Sequence, residues 1–161
     1  MSDRAKPRYI LPANKSLAST SPSKSLAATL EEVSTSNIKM VNERDFELGS
    51  PTAKAVLEHV SPHFKTWIYN VSKPTALTFE EGLEVLRGVA KKFPKYREEV
   101  LDLTTDIDEK RGCATVVVHV RISGREQTSV EAIREAKWER DEHGKWWLHS
   151  FIGIWGVSMD C

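Results

Sequence analysis

The sequence predicts an α+β domain: helices first, then a mostly antiparallel sheet against which they pack. Three observations carry this. Apolar residues recur at helical spacing up to Pro94 and alternate with polar ones after it. Four long alternating segments follow one another through short loops rich in glycine and acidic residues. The chain, 161 residues and 40% hydrophobic, suits one core better than two marginal ones.

Residues 1–36 are rich in Ser, Thr, Lys, Pro and Ala and keep no sustained period, so they bury too little apolar surface to offset the entropy of ordering. They read as a disordered tail. Leu26, Leu30 and Val33 suffice only for a short helical turn. Order is expected from about Asn37, giving a domain over residues 37–157 and a short tail at 158–161. Ile38, Val41, Phe46 and Leu48 lead to a second helix with Ser50 as N-cap and Pro51 in its first turn. Its apolar stripe is Ala53, Val56, Leu57 and Val60, and Pro62 ends it. A β-like run from Phe64 to Tyr69 closes at Ser72, Lys73 and Pro74.

The third helix has the clearest signature. Thr78 and Glu81 form a capping box, Phe79, Leu83, Leu86, Val89, Ala90 and Phe93 make the apolar stripe, and Pro94 stops it. The strand-like segments then cover about 96–107, 113–123, 129–140 and 145–155.

Composition excludes several classes of function. Residues 1–30 hold five basic residues against one acid; the other 131 residues hold 18 basic against 22 acidic, a net of −4. A mildly acidic domain is a poor partner for a phosphate backbone, so no nucleic acid is expected. No apolar run approaches the roughly 18–20 residues of a membrane span, and no apolar core of a secretory signal is present. A soluble cytoplasmic protein is expected, although a basic, serine-rich N-terminus is also the composition of a mitochondrial transit peptide. Two cysteines, Cys113 and Cys161, fit neither a disulfide framework nor metal-ligand spacing. There is no phosphate loop, zinc-spaced His/Cys cluster or nucleophile elbow, so neither cofactor nor metal is expected.

Strand alternation nominates the site. On the third long segment the even positions read Val130, Ala132, Arg134, Ala136 and Trp138; the odd positions are mainly charged. Arg134 thus lies on the apolar face, beside two alanines. If Arg140 pairs with Lys145, Trp138 faces Trp147, Ala136 faces His149 and Arg134 faces Phe151. A two- or four-residue loop around Arg125 and Glu126 puts His119 opposite Ala132. One face then carries His119, Arg134 and His149 among Trp138, Trp147 and Phe151, and a slip of one residue in either hairpin undoes its half of the set. Asp102 or Asp106 joins them if Asp108 pairs with Cys113.

In that arrangement His119 and His149 are candidate catalytic acid–base groups. Arg134 would hold a carboxylate or an oxyanion. The aromatics, with Trp67 and Tyr69 at the mouth, would bind an apolar or acidic small molecule. The plainer alternative is a structural Arg134 paired with Glu80 or Glu84, hydrogen-bonded histidines, and tryptophans used for packing or a dimer interface. His59, His63 and His143 read as surface residues, and Cys113 has no adjacent base.

The element order, ending in Gly144-Lys145-Trp146-Trp147-Leu148-His149, resembles the nuclear-transport-factor-2-like (NTF2-like, SnoaL-like) superfamily over about residues 37–157. The resemblance implies a curved sheet wrapped around helices as a cone-shaped barrel with a pocket, and often a homodimer through the outer sheet face. It implies no single chemistry. One reading is a cofactor-independent isomerase, dehydratase or cyclase of a biosynthetic pathway. The other is a non-catalytic ligand- or protein-binding dimerisation module.

Overall fold

The computed structural model describes residues 25–68, 75–125 and 128–154. The elements run α1 (Leu26–Asn42), α2 (Pro51–Leu57), β1 (Val60–Ile68), β2 (Thr75–Leu77), α3 (Phe79–Lys92), β3 (Arg97–Asp108), β4 (Cys113–Ser123), β5 (Val130–Arg140) and β6 (Trp146–Ile154). The six strands form one open mixed sheet in the order β2-β1-β6-β5-β4-β3. β3 to β6 make the expected antiparallel meander, and β1 joins it parallel to β6.

Order begins earlier than the sequence suggested. Ser25 caps α1 by accepting a hydrogen bond from the Ala28 backbone N–H, so the helix covers residues 26–36 that composition had assigned to the tail. Its middle, Ser34 to Asn37, is poor in helix formers, and the hydroxyls of Thr35 and Ser36 bond back to the carbonyls of Glu31 and Glu32. Packing overrides that weakness: Leu30, Val33, Ile38 and Val41 are buried against the sheet, at roughly 1.5–3 kcal/mol for each such side chain.

α2 starts as expected, with Ser50 accepting from Ala53 N–H and Pro51 at its first position. It ends sooner, at Leu57, and Val60 and Pro62 belong to β1 instead. Pro62 is tolerated there because the β1–β6 register shifts between Val60 and Lys65. The turn expected at Ser72 to Pro74 lies outside the described residues. α3 carries the full capping box, with Thr78 and Glu81 each satisfying the other's backbone N–H.

All three helices lie on one face of the sheet. That inner face is built from Ala114, Val116, Val118, Val120 and Ile122 of β4 and Ala132, Arg134, Ala136 and Trp138 of β5, all buried. The outer row of β4, including Thr115, Val117 and His119, is only half-buried. No described helix covers it.

Candidate functional site

Arg134 is the polar centre of the inner face. It is buried, with Nη2 3.0 Å from Oε1 of Glu98 on β3, and the Tyr96 hydroxyl donates to Oε2 of the same carboxylate. Tyr96 and Glu98 are themselves almost wholly buried. Burial, with the neighbouring Glu98 charge, pushes the Tyr96 hydroxyl well above its usual titration range. Glu98 holds the Arg134 guanidinium above its ordinary value despite burial. The partner of Arg134 is thus a strand carboxylate, rather than Glu80 or Glu84 of α3. Glu84 instead pairs with Arg87 on its own helix.

The C-terminal end of α1 fixes this cluster in place. The Asn42 carboxamide donates to the carbonyl of Glu98 and accepts from its N–H, much as a neighbouring strand would. Arg44, held at φ 59°, donates to the carbonyls of Val41, Pro94 and Tyr96. Small residues surround the guanidinium: Ala132 and Ala136 flank it along β5, and Gly153 is its partner on β6. A methyl group at Gly153 would stand 3.1 Å from the Arg134 Cδ, so the side chain would have to give way by a few tenths of an ångström.

The hairpin registers differ from those expected, and this moves both histidines. β4 and β5 pair His119 with Ile133 and Val118 with Arg134, one residue away from the expected match. Seven residues, an odd number, separate the last pair, Ile122 and Val130, where an even loop of two or four was expected; among them Gly124, at φ 82°, passes close to the backbone of Lys95. A Cβ there would lie 1.9 Å from the Lys95 carbonyl oxygen. His119 therefore faces outward, its Nε2 2.6 Å from Glu131 Oε1. Asp108 does pair with Cys113, which brings Asp102 across from His119, but on the outer face.

At the other hairpin Arg140 pairs with Trp146 and Trp138 with Leu148. Trp147 consequently turns to the outer face, where its indole N–H donates to Asp141 and Lys145 Nζ sits 3.9 Å from its ring centre. A bulge then inserts His149 between Leu148 and Ser150, leaving it half-buried and without a cross-strand partner. The slip past the bulge is two residues, which restores the face, so Phe151 lies inside opposite Ala136 as its sequence parity required. His119, Arg134 and His149 are not brought together.

Trp138 is a core residue whose indole N–H donates to buried Ser34 Oγ. His59, expected at the surface, packs edge-on against the Trp138 ring with centroids 5.9 Å apart. Trp67 pairs with Ile152 and lies on the outer face rather than in a pocket mouth, and Tyr69 lies outside the described residues. A concavity of 420 Å³ lies between α1 and the β3 edge, with Lys39, Asn42, Glu43 and Arg97 in its lining. That lining holds charges of both signs and no histidine.

Sequence reasoning missed Tyr96 and Glu98. The signal was present in the alternation: both share the parity that β3 buries before its bulge between Val100 and Asp102. The bulge hides it, because beyond Leu101 the even positions turn outward.

The helices on one face of an open six-stranded sheet define the NTF2-like fold. An NTF2-like protein from Pseudomonas putida shares it at a TM-score of 0.57 and 10% identity, over 79% of this chain and 84% of that one. ActVI-ORFA from Streptomyces coelicolor does so at 0.56 and 15%, over 80% and 96%. The CaMKII hub of S. rosetta does so at 0.60 and 13%, over 82% and 98%. At these identities the likeness is one of fold. No protein-family model and no curated protein matches the sequence.

Proposed function

We propose that this chain is a non-catalytic NTF2-like module that pairs with a second copy of itself through the outer face of its sheet. The observation that carries the reading is the composition of that face. Trp67, Val117, Ile133 and Ile152 lie on that face, with Glu135 standing between Ile152 and Val117; no described helix covers them, and Ile133 is 36% exposed. Among and around them stand charges of both signs, Arg121 with Glu99 and Lys137 with Glu135, and the His119–Glu131 hydrogen bond.

A two-fold interface needs a surface complementary to itself, and apolar side chains interleaved with charges of both signs meet that need. Five strands at about 4.8 Å spacing and about 11 residues' length present roughly 700 Å². Stable interfaces take about 800 Å² per partner. The inner face supports the non-catalytic part of the reading. Both oxygens of Glu98 are engaged, and a general base must be within reach of its substrate.

Substituting Ile133→Lys tests the proposal. It places two like charges at the centre of the paired faces, so the chain is expected to elute and weigh as one subunit while keeping the wild-type circular dichroism. An unchanged association state would remove the outer face from consideration.

One observation favours a second reading, a cofactor-independent isomerase or dehydratase that holds a small acidic ligand against Arg134. The residues beside the guanidinium are small, and aromatic Trp138 and Phe151 share its face. A native mass spectrum showing a retained small molecule that is lost in Arg134→Met would favour this reading over the first.

A further inference from the structure

We propose that the groove between α1 and the open edge of β3 binds the C-terminal end of a partner protein, extended along β3 and closing on an apolar terminal residue with a free carboxylate. β3 ends the sheet, so one side of its backbone has no neighbouring strand. Asn42 stands in for that strand at Glu98 alone, accepting from its N–H and donating to its carbonyl. In an antiparallel ladder the direction of these groups repeats every second residue, and the β3–β4 register is regular up to Val100. The N–H and carbonyl of Val100 therefore point to the same open side as those of Glu98. Nothing among the described residues bonds to them there.

The concavity of 420 Å³ lies at this point, lined in part by Ile38, Lys39 and Asn42 of α1 and by Arg97, Glu98 and Val100 of β3. Glu98 and Val100 share one parity of the strand and Arg97 the other, so the concavity opens at the edge itself rather than on either face. Its floor is apolar: Ile38 is buried, while Val100 is a large apolar residue left 37% exposed. Lys39 and Arg97 are exposed and carry no ion pair among the described residues. Of the two free carboxylates in the lining, Glu99 is taken by Arg121, which leaves two cations against Glu43.

These features select a chain end. A residue set opposite Val100 in antiparallel sense exchanges two main-chain bonds with it, its N–H donating to the Val100 carbonyl and an oxygen accepting from the Val100 N–H. The next place along the edge is closed by Asn42, so a chain running antiparallel to β3 stops there, and the accepting oxygen belongs to its terminal carboxylate. Lys39 and Arg97 favour that charge. The side chain of the same residue falls on the face of Val100, over the apolar floor, which selects an apolar group. Main-chain pairing supplies the affinity and this one side chain the choice of partner, as in other strand additions. The groove lies at the sheet edge, so its occupation does not depend on the pairing of two copies through the outer face.

NMR titration of the 15N-labelled full chain with acetyl-Thr-Thr-Val, a short β-prone peptide with a free carboxylate, tests the inference. The expected result is a saturable shift of the Val100 amide and of the amides of Ile38 and Lys39. Amidating the peptide terminus should weaken binding about tenfold, and Lys39→Gln/Arg97→Gln by a similar factor, the effect of losing two exposed ion pairs. Val100→Pro removes the donor, and proline is tolerated where an edge N–H faces outward, so the β4 amides should keep their positions while saturable binding is lost. The absence of a saturable shift at Val100 would overturn the proposal. So would binding indifferent to amidation, undiminished affinity in Val100→Pro, or shifts confined to residues around Arg134.

Discussion

Nη2 of Arg134 lies 3.0 Å from Oε1 of Glu98, and both side chains are buried on the helix-covered face of the sheet. Removing one partner leaves the other charged in an apolar surround, while removing both leaves neither. Arg134→Met should therefore destabilise the fold by about 3–5 kcal/mol, and Glu98→Leu/Arg134→Met by clearly less than either single change predicts. Urea unfolding of the three variants measures this. Simple additivity would show that the pair is not coupled.

The Tyr96 hydroxyl, raised by burial and by the Glu98 charge, gives an alkaline signature. Its folded value lies above its unfolded value near 10, so the folded state keeps the proton while the unfolded state loses it. Stability is thus fully present at neutral pH and falls as pH rises beyond about 10. Tyr96→Phe should lose about 1 kcal/mol at pH 7 through the missing hydrogen bond, and should lower the alkaline slope of stability against pH. Equal slopes in both proteins would place the effect elsewhere.

Two glycines at positive φ separate backbone conformation from crowding. Gly144, at φ 88°, has no atom near the position of an added Cβ, whereas Gly124 has the Lys95 carbonyl 1.9 Å away. Gly144→Ala should cost about 1–2 kcal/mol, the ordinary penalty of a left-handed residue. Gly124→Ala should cost substantially more, because the β4–β5 connection must move. Comparable melting points for the two variants would contradict this account of the register.

The capping box offers a calibrated change. Thr78→Ala removes the acceptor for the Glu81 N–H and should cost about 1 kcal/mol, or about 2–4 °C in melting temperature for a chain of this size.

What could be read from the sequence follows from which signals are local. α3 was legible because its cap, stripe and stop all lie within seventeen residues, and the four long strands were legible from alternation. The faces of individual residues were less so, since face depends on the parity of loop residues and on bulges. The odd, seven-residue gap between the last β4–β5 pair, Ile122 and Val130, moved His119 outward; the Arg140–Trp146 register left Trp147 outside, and the bulge at His149 returned Phe151 to the inside. α1 was hidden because its mid-helix Ser, Thr and Asn residues are held by packing against β3 and β4 rather than by propensity.

Sedimentation equilibrium of the full chain across a hundredfold range of concentration tests pairing through the outer face most directly. The proposed module predicts a mass of two subunits at micromolar concentration, reduced to one by Ile133→Lys. A single-subunit mass at every concentration, with the domain folded, would contradict it.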